Sequence, residues 1–226
     1  MSAVQFIVEG GNRLSGTIRP SGNKNAALPI VAAALLTEHP VTLENVPRIR
    51  DLETLVDLVR TTGAHAEWTA RNTLRIHAKT VNASSLDPVM CTRIRASILL
   101  AAPLLARCGR VELSPPGGDV IGRRRLDTHF LALERLGAAH EFDDRIAFTT
   151  KGLVGADVFL DEPSVTGTEN AVMAAVAARG ETVLRNAACE PHVQDLCKFL
   201  VEIGAKITGI GTGVLEIEGV EGLSGG

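Results

Sequence analysis

The segment Ser21-Gly22-Asn23-Lys24-Asn25 is polar and turn-rich, and it runs directly into an apolar stretch. A lysine at such a start suits anion chemistry. Free N–H groups and the positive end of a helix dipole attract phosphate or carboxylate, and the lysine adds a full charge. Arg95 opens a second apolar stretch, and Ser164-Val165-Thr166 precedes a third. Each residue also has an ordinary explanation as a solvated charge or a cap, and Ser164, Thr166 and Thr168 are all good caps. Spacing sets them apart. Asn25, Arg95 and Thr166 each lie eighteen positions ahead of a strand leucine, Leu43, Leu113 and Leu184 respectively. Three helix starts in equivalent places point to one shared anion site.

Asp119 follows Gly117 and Gly118 in a long loop. Gly-Gly-Asp is by itself an ordinary turn. A carboxylic acid on a closing loop, its pKa raised by burial, could instead donate a proton. Arg123, Arg124 and Arg125 nearby form either a solvated basic turn or a clamp for an anionic substrate. Asp127 and His129 begin the next helix, and His129 fills a slot that is otherwise apolar, the usual place of a core histidine. Cys91, Cys108, Cys189 and Cys197 show neither a CxxC pair nor metal-ligand spacing with histidine. They read as reduced thiols of a cytosolic protein, with no metal or other cofactor expected.

The elements that must position these residues form a threefold repeat. Each unit runs through a strand, a buried helix, a strand, a half-buried helix closed by Gly-Ala, and two further strands. The closing pairs are Gly63-Ala64, Gly137-Ala138 and Gly204-Ala205, with glycine at the usual left-handed cap. Apolar residues recur at helical spacing before them: Leu52, Leu55, Val56, Val59, then Leu126, His129, Phe130, Leu133, then Val193, Leu196, Cys197, Leu200. Helices over 26–36, 95–106 and 170–178 are apolar nearly all round and are expected to be buried. Short strands are expected ahead of them at 16–20, 81–88 and 158–161. The second unit has four extra residues between Leu113 and Leu126, which places the Asp119 loop as an insertion.

Among the 226 residues, 45% are hydrophobic and 22% charged, a globular balance. A net charge of −3 gives no electrostatic footprint for nucleic acid or an anionic membrane. No Tyr, one Trp and six Phe argue against a base-stacking surface. The start, Met1-Ser2-Ala3-Val4-Gln5, lacks the basic and apolar regions of a signal peptide, and the apolar run 96–106 is too short to span a bilayer.

Several motifs together resemble the UDP-N-acetylglucosamine 1-carboxyvinyltransferase family of enolpyruvyl transferases. They are Ser-Gly-Asn-Lys-Asn-Ala-Ala-Leu-Pro at 21–29, Arg-Ala-Ser at 95–97, Pro-Gly-Gly-Asp-Val-Ile-Gly at 116–122, Asp-Thr-His at 127–129, Asn-Ala-Ala-Cys-Glu-Pro at 186–191 and Leu-Glu-Ile-Glu-Gly-Val at 215–220. The resemblance implies an α/β fold, an inside-out α/β barrel of three βαβαββ units with buried helices. It assigns 1–15 to an N-terminal strand belonging with a second domain, supplied in cis or in trans. Residues 16–226 become the three-repeat domain, with repeats near 16–80, 81–155 and 156–220.

The implied reaction moves enolpyruvyl from phosphoenolpyruvate to the 3′-hydroxyl of UDP-N-acetylglucosamine by addition and elimination, which opens peptidoglycan synthesis. Asp119, at a position that holds Cys in most members, would protonate C3 of phosphoenolpyruvate. Lys24 and Asn25 would bind substrate, with Lys24 on phosphoenolpyruvate. Arg95 would face the same cleft and Arg124 would contact phosphate. Arg125, Leu126, Asp127, Thr128 and His129, with Glu162, Pro163, Ser164 and Val165, match the nucleotide-sugar segments. The chain departs from the family pattern at Arg125, where proline is usual, and at Thr166-Gly167. The alternatives are a 3-phosphoshikimate 1-carboxyvinyltransferase-like enzyme and a non-catalytic, single-domain binding protein.

Overall fold

The protein is described by a computed structural model that covers residues 5–82, 86–118 and 125–226. Its first unit starts with α1 (Lys24–Ala33), which tightens into a 3₁₀ turn at Ala34–Leu36. β1 (Pro40–Leu43), α2 (Arg50–Thr61), β2 (His65–Ala70) and β3 (Thr73–His77) follow. The second unit holds the one-turn helix α3 (Pro88–Cys91), a 3₁₀ segment at Arg95–Leu100, α4 (Ala101–Cys108), β4 (Arg110–Leu113), α5 (Asp127–Arg135), β5 (Ala139–Phe142) and β6 (Ile146–Thr149). The third has β7 (Asp157–Phe159), α6 (Val165–Val176), β8 (Glu181–Arg185), α7 (Pro191–Glu202), β9 (Lys206–Thr208) and β10 (Val214–Glu218).

Each unit folds its strands into one small sheet, in the orders β1-β3-β2, β4-β6-β5 and β7-β8-β10-β9. All pairings are antiparallel except β7 with β8. The three apolar helices form the centre, α4 packing on α6 and α1 on the 3₁₀ segment beside it. Val31, Leu35, Leu104, Leu105, Val172 and Met173 are fully buried there. Helices lacking a polar stripe are stable only when enclosed on all sides, and here the sheets and α2, α5 and α7 enclose them. Gly63, Gly137 and Gly204 take positive φ values of 93°, 91° and 111°, and the N–H of each bonds a carbonyl three residues back. The repeat is therefore visible in its helix stops as well as in its apolar pattern.

Three expectations need correction. Strands at 16–20 and 81–88 are absent among the described residues. Residues 5–20 are exposed coil, and only the third unit has its leading strand, β7. In the first unit the corresponding edge of β1 is occupied by the far end of the chain. The Thr42 N–H donates to the Gly226 carbonyl at 2.7 Å, and the Gly226 N–H donates to Pro40 at 3.3 Å. The second buried helix is not uniform: it changes from 3₁₀ to α after Leu100, because Pro103 has no N–H to give the Leu99 carbonyl. The third starts at Val165, five residues before the expected start, because Thr168 and Glu169 are helical and buried despite their polarity.

The same chain end closes the ring of units. α1 packs on α7, the Thr37 hydroxyl donates to the Leu223 carbonyl at 2.8 Å, and Ser224 bonds the Ile203 carbonyl through both N–H and Oγ.

Candidate active site

The helix starts singled out by their register do converge. Lys24, Asn25, Arg95, Ser164, Val165 and Thr166 line one cavity of about 560 Å³, together with Arg125 and Glu162. Local chemistry fixes each start. The Asn23 side chain accepts from the N–H groups of Asn25 and Ala26 and caps α1, and Ser164 Oγ accepts from Gly167 N–H and caps α6. Gly22 approaches the Asn45 carbonyl so closely that a Cβ there would lie 1.8 Å from its oxygen, which holds the turn before Lys24 in place. A second cavity of similar volume lies between α1, β1 and α7, but no set of helix starts converges on it.

Basic groups dominate the first cavity. Lys24, Arg93, Arg95 and Arg125 face Asp51 and Glu162. Lys24 Nζ donates to Asp51 Oδ2 at 2.9 Å, and Arg125 pairs with Asp127 and Asp161. Arg95 Nη2 donates to the Arg125 carbonyl at 2.8 Å, tying the 3₁₀ helix start to the far end of the inserted loop. The near end of that loop is pressed onto the same turn. A Cβ on Gly117 would sit 1.6 Å from the Thr92 carbonyl oxygen, and Gly118 lies on the cavity wall with φ 95°. Asp119 and Arg124 lie outside the described residues.

Not every expected substrate residue reaches the cavity. Pro163 is exposed beside it, and Asp127 is turned to its Arg125 pairing. Leu126 packs partly buried against the core. Thr128 and His129 are buried beneath the wall. Thr128 Oγ1 donates to Asp161 Oδ1 at 2.8 Å. His129 is 1% exposed and lies between Thr166 and Asn170. Burial, with the Arg95 charge adding to it, pushes its pKa down to about 3, so the ring is neutral.

Glu169, His192, Arg93 and Asp51 also line the cavity and were not anticipated. Glu169 is 1% exposed, and its Oε1 has no hydrogen-bond partner among the described residues. Burial and then the charge of Glu190 raise its pKa to about 9, so it is a neutral acid at ordinary pH. A polar triplet inside an apolar helix, Thr168-Glu169-Asn170, was the available signal. Cys197, in an apolar slot of α7, is pushed up to about 12 by burial and then by Glu169. Its thiol is inert as a nucleophile at neutral pH. Among the described residues no cluster of three or more His, Cys, Asp or Glu side chains is placed to hold a metal ion. No described helix is long and apolar enough to cross a membrane.

The arrangement is a basic cleft with two buried neutral groups, suited to holding anionic oxygens. Known proteins resemble the chain in sequence and fold. The UDP-N-acetylglucosamine 1-carboxyvinyltransferase of Bradyrhizobium diazoefficiens is 73% identical over 219 residues, covering 97% of this chain and 51% of that protein. The enzyme of the same name from Treponema denticola is 53% identical over 221 residues, 98% of this chain and 52% of its own. The chain thus spans about half the length of the curated relatives it matches. Among solved structures, the enolpyruvyl transferase NikO from Streptomyces tendae superposes with a TM-score of 0.82 at 26% identity, over 96% of this chain and 51% of that one. An EPSP synthase from Acinetobacter baumannii shares the fold, with a TM-score of 0.74 at 19% identity over 93% of this chain and 48% of that one. The sequence model of the EPSP synthase (3-phosphoshikimate 1-carboxyvinyltransferase) family matches residues 8–226, and the chain belongs to that family of enolpyruvyl transferases.

Proposed function

We propose that the chain forms one wall of an enzyme that transfers enolpyruvyl from phosphoenolpyruvate to the 3′-hydroxyl of UDP-N-acetylglucosamine. The observation that carries this reading is the convergence of three helix starts, with Lys24 and Arg95, on one basic cavity, in a chain 73% identical to a protein of that name. The cavity suits two anionic substrates, and Lys24, Asn25, Arg95 and Arg125 are the groups placed to hold their oxygens. Ser164 and Val165 open the helix against which the nucleotide sugar would lie.

In the addition step the 3′-hydroxyl gives its proton to a base, proposed to lie on the second wall, and its oxygen bonds to C2 of phosphoenolpyruvate, while the C2=C3 double bond opens and C3 gains a proton, for which Asp119 is the proposed donor. In the elimination step C3 loses a proton and phosphate leaves. Positioning in a closed cleft accounts for much of the rate of such a reaction, which is why a second wall, in cis or in trans, is part of the proposal. The product would feed peptidoglycan synthesis in the cytoplasm. The family's description favours 3-phosphoshikimate as the alternative acceptor. The test is phosphate release from phosphoenolpyruvate by the two-walled enzyme with each acceptor in turn. Release with UDP-N-acetylglucosamine and none with 3-phosphoshikimate is expected, and the reverse overturns the proposal.

A further inference from the structure

We propose that Asn170 and His129 are positioning residues that set the direction of the Thr166 hydroxyl, so that Thr166 Oγ–H is offered as a donor to an anionic oxygen of the ligand. This rests on the substrate cavity described above. Among the assigned substrate residues His129 has no surface to touch a ligand, and the hydrogen bonds around it give it a different task.

The chain of bonds is anchored in the backbone. Asn170 Nδ2 donates to the Ile98 carbonyl at 2.9 Å, and Asn170 Oδ1 accepts from the Ala102 N–H at 3.3 Å. Ile98 and Ala102 are four residues apart, so the amide bridges the α-type bond that is missing where the 3₁₀ segment becomes α4. Turning the amide over would set N–H against N–H and oxygen against oxygen, so its orientation is determined. The remaining Nδ2 proton points to His129 Nδ1 at 2.8 Å. Nδ1 must then be the bare nitrogen, and the single proton of the neutral ring sits on Nε2. Nε2 lies 3.1 Å from Thr166 Oγ1 and donates to it.

With one lone pair of Thr166 Oγ1 occupied, the hydroxyl proton is directed elsewhere. No hydrogen bond given by this hydroxyl occurs among the described residues, and Thr166 lines the cavity. It stands in the first turn of α6, where a ligand anion is already favoured. An unconstrained threonine hydroxyl rotates, or turns back to a local carbonyl, and it would lose that freedom on binding. Here a buried donor chain running from Ala102 N–H keeps the hydroxyl proton off the ring side and leaves it the remaining staggered positions. The acceptor is an oxygen of a phosphate or carboxylate group, from phosphoenolpyruvate or from the diphosphate of a nucleotide sugar.

Two measurements test this. Nitrogen NMR of the ligand-free protein at about pH 7 should show His129 with a proton on Nε2 and a bare Nδ1. A proton on Nδ1 overturns the proposal. Calorimetric titration with phosphoenolpyruvate and with UDP-N-acetylglucosamine, each alone, reads the second half. Thr166→Val should weaken the ligand that meets the hydroxyl about tenfold, and Thr166→Ser should stay within about twofold of wild type. Asn170→Asp accepts where the amide donated, reverses the ring and turns the Thr166 proton inward. It should cost the same factor, and no more when combined with Thr166→Val. Unchanged affinity of Thr166→Val for both ligands, or losses that add, overturns the proposal, and the Thr166 pair decides even if Asn170→Asp folds poorly. If the wild-type protein binds neither ligand, the proposed substrates fail. Inorganic pyrophosphate then serves as the probe, with the same Val and Ser outcomes deciding the Thr166 donor separately.

Discussion

Glu169→Gln should stabilise this protein, and the gain should depend on pH. The carboxyl is enclosed, lacks a partner on Oε1 among the described residues and has its pKa raised from 4.5 to about 9. Between those values the folded chain holds a proton that the unfolded chain has released. Stability is therefore fully present below the unfolded pKa and falls as pH rises towards the folded one. The slope is about 1.4 kcal/mol per pH unit, so at about pH 7 keeping the group neutral costs on the order of 3 kcal/mol. Glutamine has the same shape, is neutral at every pH and carries no such slope. The variant should match wild type near pH 4 and exceed it by up to about 3 kcal/mol near pH 7. Urea unfolding followed through Trp68, the single tryptophan, measures the difference at each pH. His129, held neutral by a pKa near 3, gives the opposite slope between about pH 3 and 6.5, but it is present in both proteins and cancels in the difference. A difference that stays flat from about pH 5 to 8 would refute the argument, because Glu169 would then ionise in the fold as it does in water.

Three other outcomes are expected. The 226-residue chain by itself should release no phosphate from phosphoenolpyruvate and UDP-N-acetylglucosamine, and turnover in a phosphate assay would end the two-wall proposal. In the two-walled enzyme, Asp119→Ala should lose at least ~10²-fold in kcat. Wild type should resist the epoxide fosfomycin while Asp119→Cys becomes alkylated, as mass spectrometry would detect, because a carboxylate is the poorer nucleophile. Gly117→Ala, which drives a methyl group into the Thr92 carbonyl, should cost about 1–3 kcal/mol in urea unfolding, and an unchanged midpoint would show that the turn can shift.

The repeat was legible because it is written in features that short segments control. Gly63, Gly137 and Gly204 end helices wherever they occur in this pattern, and the eighteen-residue register of Asn25, Arg95 and Thr166 carried the three helix starts to one cavity. Features that depend on distant partners were not legible. The 16–20 segment is strand-like in composition, yet the β1 edge is held by Gly226. Thr168 and Glu169 look like the end of a loop because hydropathy treats a buried, hydrogen-bonded or protonated polar group as exposed. His129 was recognised as filling an apolar slot, but its role depends on Asn170 and Ile98, which no spacing near residue 129 reveals.

The joint between the first and third units also constrains how the molecule can be made. Thr37 meets Leu223 across 186 residues of sequence, and β1 completes its edge only with Gly226. On the ribosome, at roughly 5–20 residues per second, β1 emerges many seconds before the strand edge it needs. Until then α1 has one flank without α7, and its apolar surface is open to other chains. Contacts so distant in sequence are expected to form after the local ones, because the loop between them must close first. Residues 223–226 thus close the ring of units, and changes that unseat them should leave each unit's local sheet able to form while the seam between the first and third units stays open.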